Sequence, residues 1–218
     1  MSEVKLVAIS KPSAITDCRT ASELVAYTAR VSNPANQSNK KTAPKLLNYL
    51  IKENHWSPFE MVHMTMEIKT TRDIARQILR HRSFAFQEIS QRYAVSENLD
   101  VVREPRLQDE KNRQNSVVTD DKHIQHEWGH AQARIRNFAK KEYAAALKLG
   151  IAKEQARALL PEGLTETTLY MAGSLRSWIH YCDLRRANGT QKEHMIVAEQ
   201  CWKVVEAHFP EIADMTND

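Results

Sequence analysis

The chain has 218 residues, long enough to bury a substantial core and short for two full domains. Its 42% hydrophobic and 27% charged residues are ordinary for a globular protein, and a net charge of +4 suits an anionic ligand without demanding a polyanion. With 5 glycines and neither a G-x-G-x-x-G nor a P-loop pattern, glycine-rich phosphate cradles are excluded, so any nucleotide must be held by side chains and helix ends.

In chain order, the β-branched run from Val4 to Ile9 predicts a first strand, and Leu24, Val25, Thr28 and Ala29 give helical spacing over Thr20 to Arg30. Ser32 to Asn39, rich in Asn, Ser and Pro, reads as a loop, and Leu46, Leu47, Leu50 and Ile51 mark an amphipathic helix. Val62 to Ile68 alternates as a half-buried strand. Thr70 and Thr71 can cap a following helix that runs to about Arg80, with Asp73 in its first turn and Ile74, Ala75, Ile78 and Leu79 as its buried stripe. Residues 103–121 are strongly polar and read as a mobile surface segment. A long helix follows from Lys122 to about Leu149, with Gly150 as its C-terminal stop. Then come a short helix from Lys153 to Leu160, a strand from Thr165 to Met171, and helices over Ser174 to Arg186 and Gln191 to His208. Strands and helices mix without a regular βαβ rhythm, which predicts an α+β fold in one domain spanning 1–218. Cys18, Cys182 and Cys201 are odd in number and read as reduced thiols; with no signal-like N-terminus and no membrane-length apolar run, a cytoplasmic location is expected.

The segment from Arg76 to Tyr93, RQILRHRSFAFQEISQRY, is the richest in chemistry. Arg72, Arg76 and Arg80 share one helix face, with Arg82 just beyond, and four guanidiniums so close need anions or solvent between them. Guanidinium forks match phosphate oxygens bidentately, and His81, Gln87, Glu88, Ser90 and Arg92 add donors and acceptors suited to a nucleobase edge. Composition alone also allows a solvated arginine face.

Five motifs in order carry a resemblance. Arg80-His81-Arg82 followed by Glu88, Ser90 and Arg92-Tyr93 resembles the signature of flavin-dependent thymidylate synthases. His55-Trp56-Ser57-Pro58-Phe59-Glu60, Ala29-Arg30-Val31-Ser32, Glu154 to Pro161, and Leu184-Arg185 with Gln191-Lys192-Glu193 are similar to further elements of that family. The resemblance implies a central, mostly antiparallel sheet flanked by long helices, and a homotetramer with active sites where subunits meet. It implies methylation of dUMP to dTMP with FAD as cofactor and NADPH and 5,10-methylenetetrahydrofolate as co-substrates. Carried over by position, Gln77, Arg80, Glu88, Ser90, Gln91, Arg92, Arg157 and Arg185 would bind dUMP. Ser32, Ser57, Glu60, Arg80, His81, Arg82, Ser83, Glu88, Ser174, Arg176 and His180 would contact FAD, with Arg185, His55 and Ser90 in the catalytic centre. Gln87, Ala85 and Gly189 depart from the family pattern.

Two other classes compete. His126-Glu127-Trp128-Gly129-His130 is a literal H-E-x-x-H that on a helix could hold zinc, although Gly129 weakens that helix and no third-ligand motif follows beyond an available Glu142. No metal is expected there. The arginine cluster with Phe84, Phe86 and Tyr93 could stack nucleic-acid bases, but Glu88 and the modest charge favour a small enclosed anion. Cys182 and the indoles of Trp128, Trp178 and Trp202 read as core or interface residues.

Overall fold

The computed structural model describes residues 2–95 and 98–215. Its centre is a four-stranded antiparallel sheet in the order β1-β2-β6-β3, where β1 is Glu3–Ile9, β2 His63–Thr71, β3 Ala85–Glu88 and β6 Glu166–Ser174. The two central strands pair over their whole length, from His63 opposite Ser174 to Thr71 opposite Glu166. Side chains alternate across a strand, so Met64, Met66 and Ile68 of β2 join Leu169 and Met171 of β6 on one fully buried face. The opposite face is polar and wetter, with the Tyr170 hydroxyl donating to Glu67 across the pair at 2.8 Å.

Helices cover the apolar face. α1 (Ala21–Ala29) is capped by Thr20, whose hydroxyl accepts from the Glu23 amide, while the Glu23 carboxylate reaches back to the Arg19 amide. α2 (Ala43–Lys52) starts with Pro44 in its first turn and buries Leu47 and Leu50. α6 (Leu175–Arg186) leaves β6 directly, and α7 (Lys192–His208) packs on α6, β1 and β2, with Trp178, Trp202, Val197 and Val205 all buried. α3 (Arg72–Ile78) follows β2 without a loop and buries Ile74, Ala75 and Ile78.

α4 (Lys122–Lys148) stands apart. Its 27 residues bury only Gln132, Ala139 and Tyr143, and the last two build a small second core with Leu99, Ala156 and Leu160. Asp121 caps it by accepting from the His123 and Ile124 amides, and Gly150 ends it at φ +83, a left-handed conformation that a side chain would strain.

Four expectations need correction. Thr71 does sit at the N-cap of α3, but its hydroxyl donates to Asp73 and caps no backbone amide. The helix from Lys153 shrinks to α5 (Lys153–Ala156) plus a 3₁₀ turn, Arg157–Leu159, because Pro161 ends it. β3 was unforeseen, since four residues reading AFQE carry too little apolar alternation to signal a strand. The polar stretch 103–121 does not simply hang in solvent. It forms a hairpin of β4 (Arg106–Gln108) and β5 (Ser116–Val118), and Arg103 and Arg106 tie it down.

Candidate active site

Where β2 ends and α3 begins, the arginine ladder divides into structural and available members. Arg72 is buried and pairs with Glu88 at 3.2 Å and Glu162 at 3.7 Å. Arg76 shares the same two carboxylates, each at 3.5 Å. Glu88 is further fixed by the Thr167 hydroxyl at 2.8 Å, so it binds the ladder to the sheet. The anions that keep Arg72 and Arg76 apart are therefore the protein's own. Arg80 and Arg82, at the exposed end, have no ion-pair partner among the described residues.

Arg80 opens onto a cleft of about 470 Å³ lined by Asp73, Arg76, Gln77, Arg80, Glu162 and Arg185. Arg185, on the last turn of α6, donates from Nε to His81 Nε2 at 2.9 Å. That bond requires an unprotonated His81 Nε2, and burial together with the Arg185 charge lowers the His81 pKa to about 4. The ring of His81 meets Tyr181 edge-on at 4.8 Å, which leaves Arg185 aimed by a neutral, wedged imidazole.

A second cluster forms around the N-terminus of α6 and the 3₁₀ turn Ser57–Met61. Arg176 donates to Glu60 at 2.8 Å, and the His180 ring lies 4.3 Å from the Trp56 ring. Burial opposes ionisation of Glu60, but hydrogen bonds from Ser174 and Arg176 outweigh it and hold its pKa below the usual carboxylate value. Burial, then the Arg176 charge, depresses His180. Ser174 is buried and caps α6 by accepting from the Ser177 amide, whose hydroxyl in turn donates to the Ser83 carbonyl at 3.3 Å. α6 thus connects the two clusters: Ser174, Arg176 and His180 at one end, Arg185 at the other. Ser57 and His55 lie exposed at and beside the second cluster's turn, and Ser32 is exposed after α1.

Ser90, Arg92 and Arg157 do not line the Arg80 cleft. Arg92 pairs with Glu154 at 3.3 Å, and Arg157 caps the same short helix through the Glu154 carbonyl, making a separate basic patch past β3. Gln91, two residues beyond Ile89, is buried.

The motif HEWGH lies on the exposed side of α4, where His126 and His130 face each other with Nε2 atoms 3.0 Å apart. Glu127 meets His126 on the Nδ1 side, at 3.3 Å, and no group of three His, Cys, Asp or Glu placed to hold a metal ion forms among the described residues, so the constellation of a zinc hydrolase is incomplete. Cys182 is buried and its thiol is pushed well above the ordinary range by burial, which suits a packing residue. Trp178 and Trp202 are core residues, while Trp128 is half-exposed and donates to the Arg103 carbonyl.

Sequence reading missed the hydrogen-bonded groups behind the cleft. His194 is fully buried and touches both Gln77 and Tyr181, and Glu193 gathers Arg103 and Arg106. A signal was present: His194, Val197, Ala198, Cys201, Trp202 and Val205 recur at helical spacing as one buried stripe, and a histidine there must find partners.

The fold and its cleft define an antiparallel α+β protein with an arginine-rich cleft between α3 and α6. It superposes on a UMP/dUMP methylase, PolB from Streptomyces cacaoi, solved with 5-Br dUMP, at TM-score 0.77 and 26% identity over 97% of this chain and 94% of that one. The family of the thymidylate synthase complementing protein matches residues 14–211. A probable flavin-dependent thymidylate synthase of Paramecium bursaria Chlorella virus 1 is 50% identical over 209 residues, 96% of each chain. A flavin-dependent thymidylate synthase of Synechocystis is 48% identical over 213 residues, 97% of each. The chain belongs to the family of flavin-dependent thymidylate synthases.

Proposed function

We propose that this protein methylates dUMP to dTMP, taking the one-carbon unit from 5,10-methylenetetrahydrofolate and reducing equivalents from NADPH through FAD. The observation that carries the reading is the pairing, across α6, of a cationic cleft with an aromatic and ion-paired cluster at its other end. The residues present fit a flavin dinucleotide: Arg80 and Arg82 are exposed cations without carboxylate partners among the described residues, suited to a pyrophosphate, and Ser57, Glu60, Arg176 and His180 offer polar contacts nearby. When bound, reduced flavin supplies the hydride that turns the transferred unit into a methyl group.

The chain's own residues do the rest. Arg185, held by His81, places a fixed positive charge in the nucleotide cleft. Set against the N3/O2 side of the uracil, it lowers the cost of negative charge on the ring and makes C5 electron-rich. Gln77 and Arg80 contact the same nucleotide, while Ser90, Gln91, Arg92 and Arg157 form its complementary half, and Glu88 holds the ladder in place. Since that second half lies off the cleft in one chain, we place it in a neighbouring subunit of a homotetramer. The apolar face that α4 leaves open, with Ile135 55% and Phe138 64% exposed, supports such an assembly. Ser32, Ser83, Ser174 and His55 complete the flavin and folate side. Nucleic acid and membrane are not assigned as partners, and no helix is long and apolar enough to cross a membrane.

The test is a flavin absorption spectrum of desalted protein, followed by dUMP titration and turnover with the folate and NADPH. Retained flavin bands that shift with dUMP, and dTMP as product, are expected. A protein that retains no added FAD would overturn the reading.

A further inference from the structure

Behind the cleft runs a chain of hydrogen bonds whose direction follows from its end. Glu193 accepts two bonds from Arg106 Nη2, at 2.7 and 2.8 Å, and lies 3.0 Å from Arg103 Nη1. Burial works against its ionisation, but these partners hold its pKa below the usual value, so it is a carboxylate and can only accept. Gln191 must then turn its amide nitrogen to Glu193, at 3.0 Å, which leaves its Oε1 facing Gln77. Gln77 therefore donates from Nε2 to that oxygen, at 2.7 Å, and its own Oε1 faces His194 Nδ1 at 3.2 Å. An oxygen there needs a donor, so His194 carries its proton on Nδ1. Its Nε2 is left to accept from the Tyr181 hydroxyl at 3.1 Å. Each link admits one polarity.

We infer that His194 is a positioning residue for the nucleotide: through its Nδ1–H it locks the Gln77 carboxamide in one orientation, with the second Nε2–H of Gln77 presented to the cleft as a donor. Among the described residues the Gln77 carboxamide has no third partner, and it lines the cleft with Arg80 and Arg185. Gln191 holds the nitrogen end of that amide and His194 the oxygen end, so the free N–H neither swings away from the cleft nor gives place to an oxygen that would repel the acceptor oxygens of a nucleotide. His194 is fully buried, and burial followed by the Arg185 and His81 charges lowers its pKa to about 3, so the single-proton ring persists at neutral pH. The inference rests on the reading of Gln77 as a dUMP contact.

Two polar replacements separate this role from simple core filling. Asparagine sets an amide N–H where Nδ1–H lies and gives up Tyr181, whereas glutamine reaches to the Nε2 end and gives up Gln77. His194→Asn is expected to keep the dUMP KM within about twofold of wild type, and His194→Gln to raise it about five- to tenfold, with kcat and the flavin spectrum little changed. In a Gln77→Leu background His194→Gln should add nothing. Equal KM values for the two variants, or additive effects with Gln77→Leu, would overturn the inference. The ring tautomer is read independently of activity by ¹⁵N NMR of labelled histidine, with the signal assigned by its loss in His194→Asn. A proton on Nδ1 supports the inference and one on Nε2 overturns it. If wild-type protein fails to respond to dUMP, the functional reading falls, and the tautomer still decides the direction of the chain.

Discussion

Phe84 lies across Gly173 so closely that a Cβ at Gly173 would stand 2.5 Å from its ring. The ring cannot easily retreat, because it is held edge-on against Trp178 at 4.8 Å and beside Tyr181 at 6.0 Å. Gly173→Ala should therefore cost about 1–3 kcal/mol, read as a lower urea midpoint. An unchanged midpoint would mean that the loop carrying Arg82, Ser83 and Phe84 yields freely. Arg185 carries the fixed charge in the proposed reaction. Arg185→Ala is expected to lower kcat about 10²–10³-fold while circular dichroism stays native, since removing a fixed charge from a developing anion costs on this scale. Full turnover would remove Arg185 from its role. Ser90→Ala should retain measurable turnover, because the proposed reaction runs on the flavin and uses no serine nucleophile.

At the scale of elements, α3, α6 and α7 are joined by neutral histidines. His81 is lowered to about 4 and His194 to about 3, mainly by burial, from an ordinary value of 6.5. Below 6.5 the unfolded chain binds protons that the folded chain refuses. Stability is thus complete above about pH 6.5 and declines as pH falls toward 4, by up to about 1.4 kcal/mol per pH unit for each histidine. Urea midpoints across that range, with His194→Asn showing a shallower slope than wild type, check it; parallel slopes would assign the pH dependence to other groups. α4 depends on its cap more than the packed helices do, because it buries so few residues. Asp121→Ala should cost about 1 kcal/mol and loosen the start of that helix in hydrogen exchange, where an unaltered pattern would mean that the neighbouring hairpin holds it.

For the whole molecule, the separation of Arg185 from the Arg92 and Arg157 patch sets a test of shared sites. Arg185→Ala and Arg92→Ala chains, each expected to be poorly active alone, should regain activity when unfolded and refolded together. Random pairing across a two-fold interface leaves one intact site per mixed pair, so roughly a quarter of wild-type activity is expected. No recovery would place both halves in one chain and refute the assembly.

Much of this protein was legible from local pattern. The alternation of Met64, Met66 and Ile68, the stripe of α2 and the stop at Gly150 follow from periods and caps that neighbours along the chain determine. The motifs around Arg80 and Arg185 pointed to the family because the chemistry demands particular residue types at fixed spacing. What the chain alone left open were pairings between distant segments. Sequence spacing put Arg72, Arg76 and Arg80 on one face, but only the fold brought Glu88 and Glu162 to the first two and left the third without an ion-pair partner among the described residues. Strand β3 exists because β6 offers it an edge, and the hairpin is tied down because Glu193 and Asp73 meet its arginines. The polarity of the Gln77–His194 chain needs five side chains from α3, α6 and α7 at once. Hydrogen bonds and ion pairs act over a few ångströms in space, and separation along the sequence carries no measure of that distance.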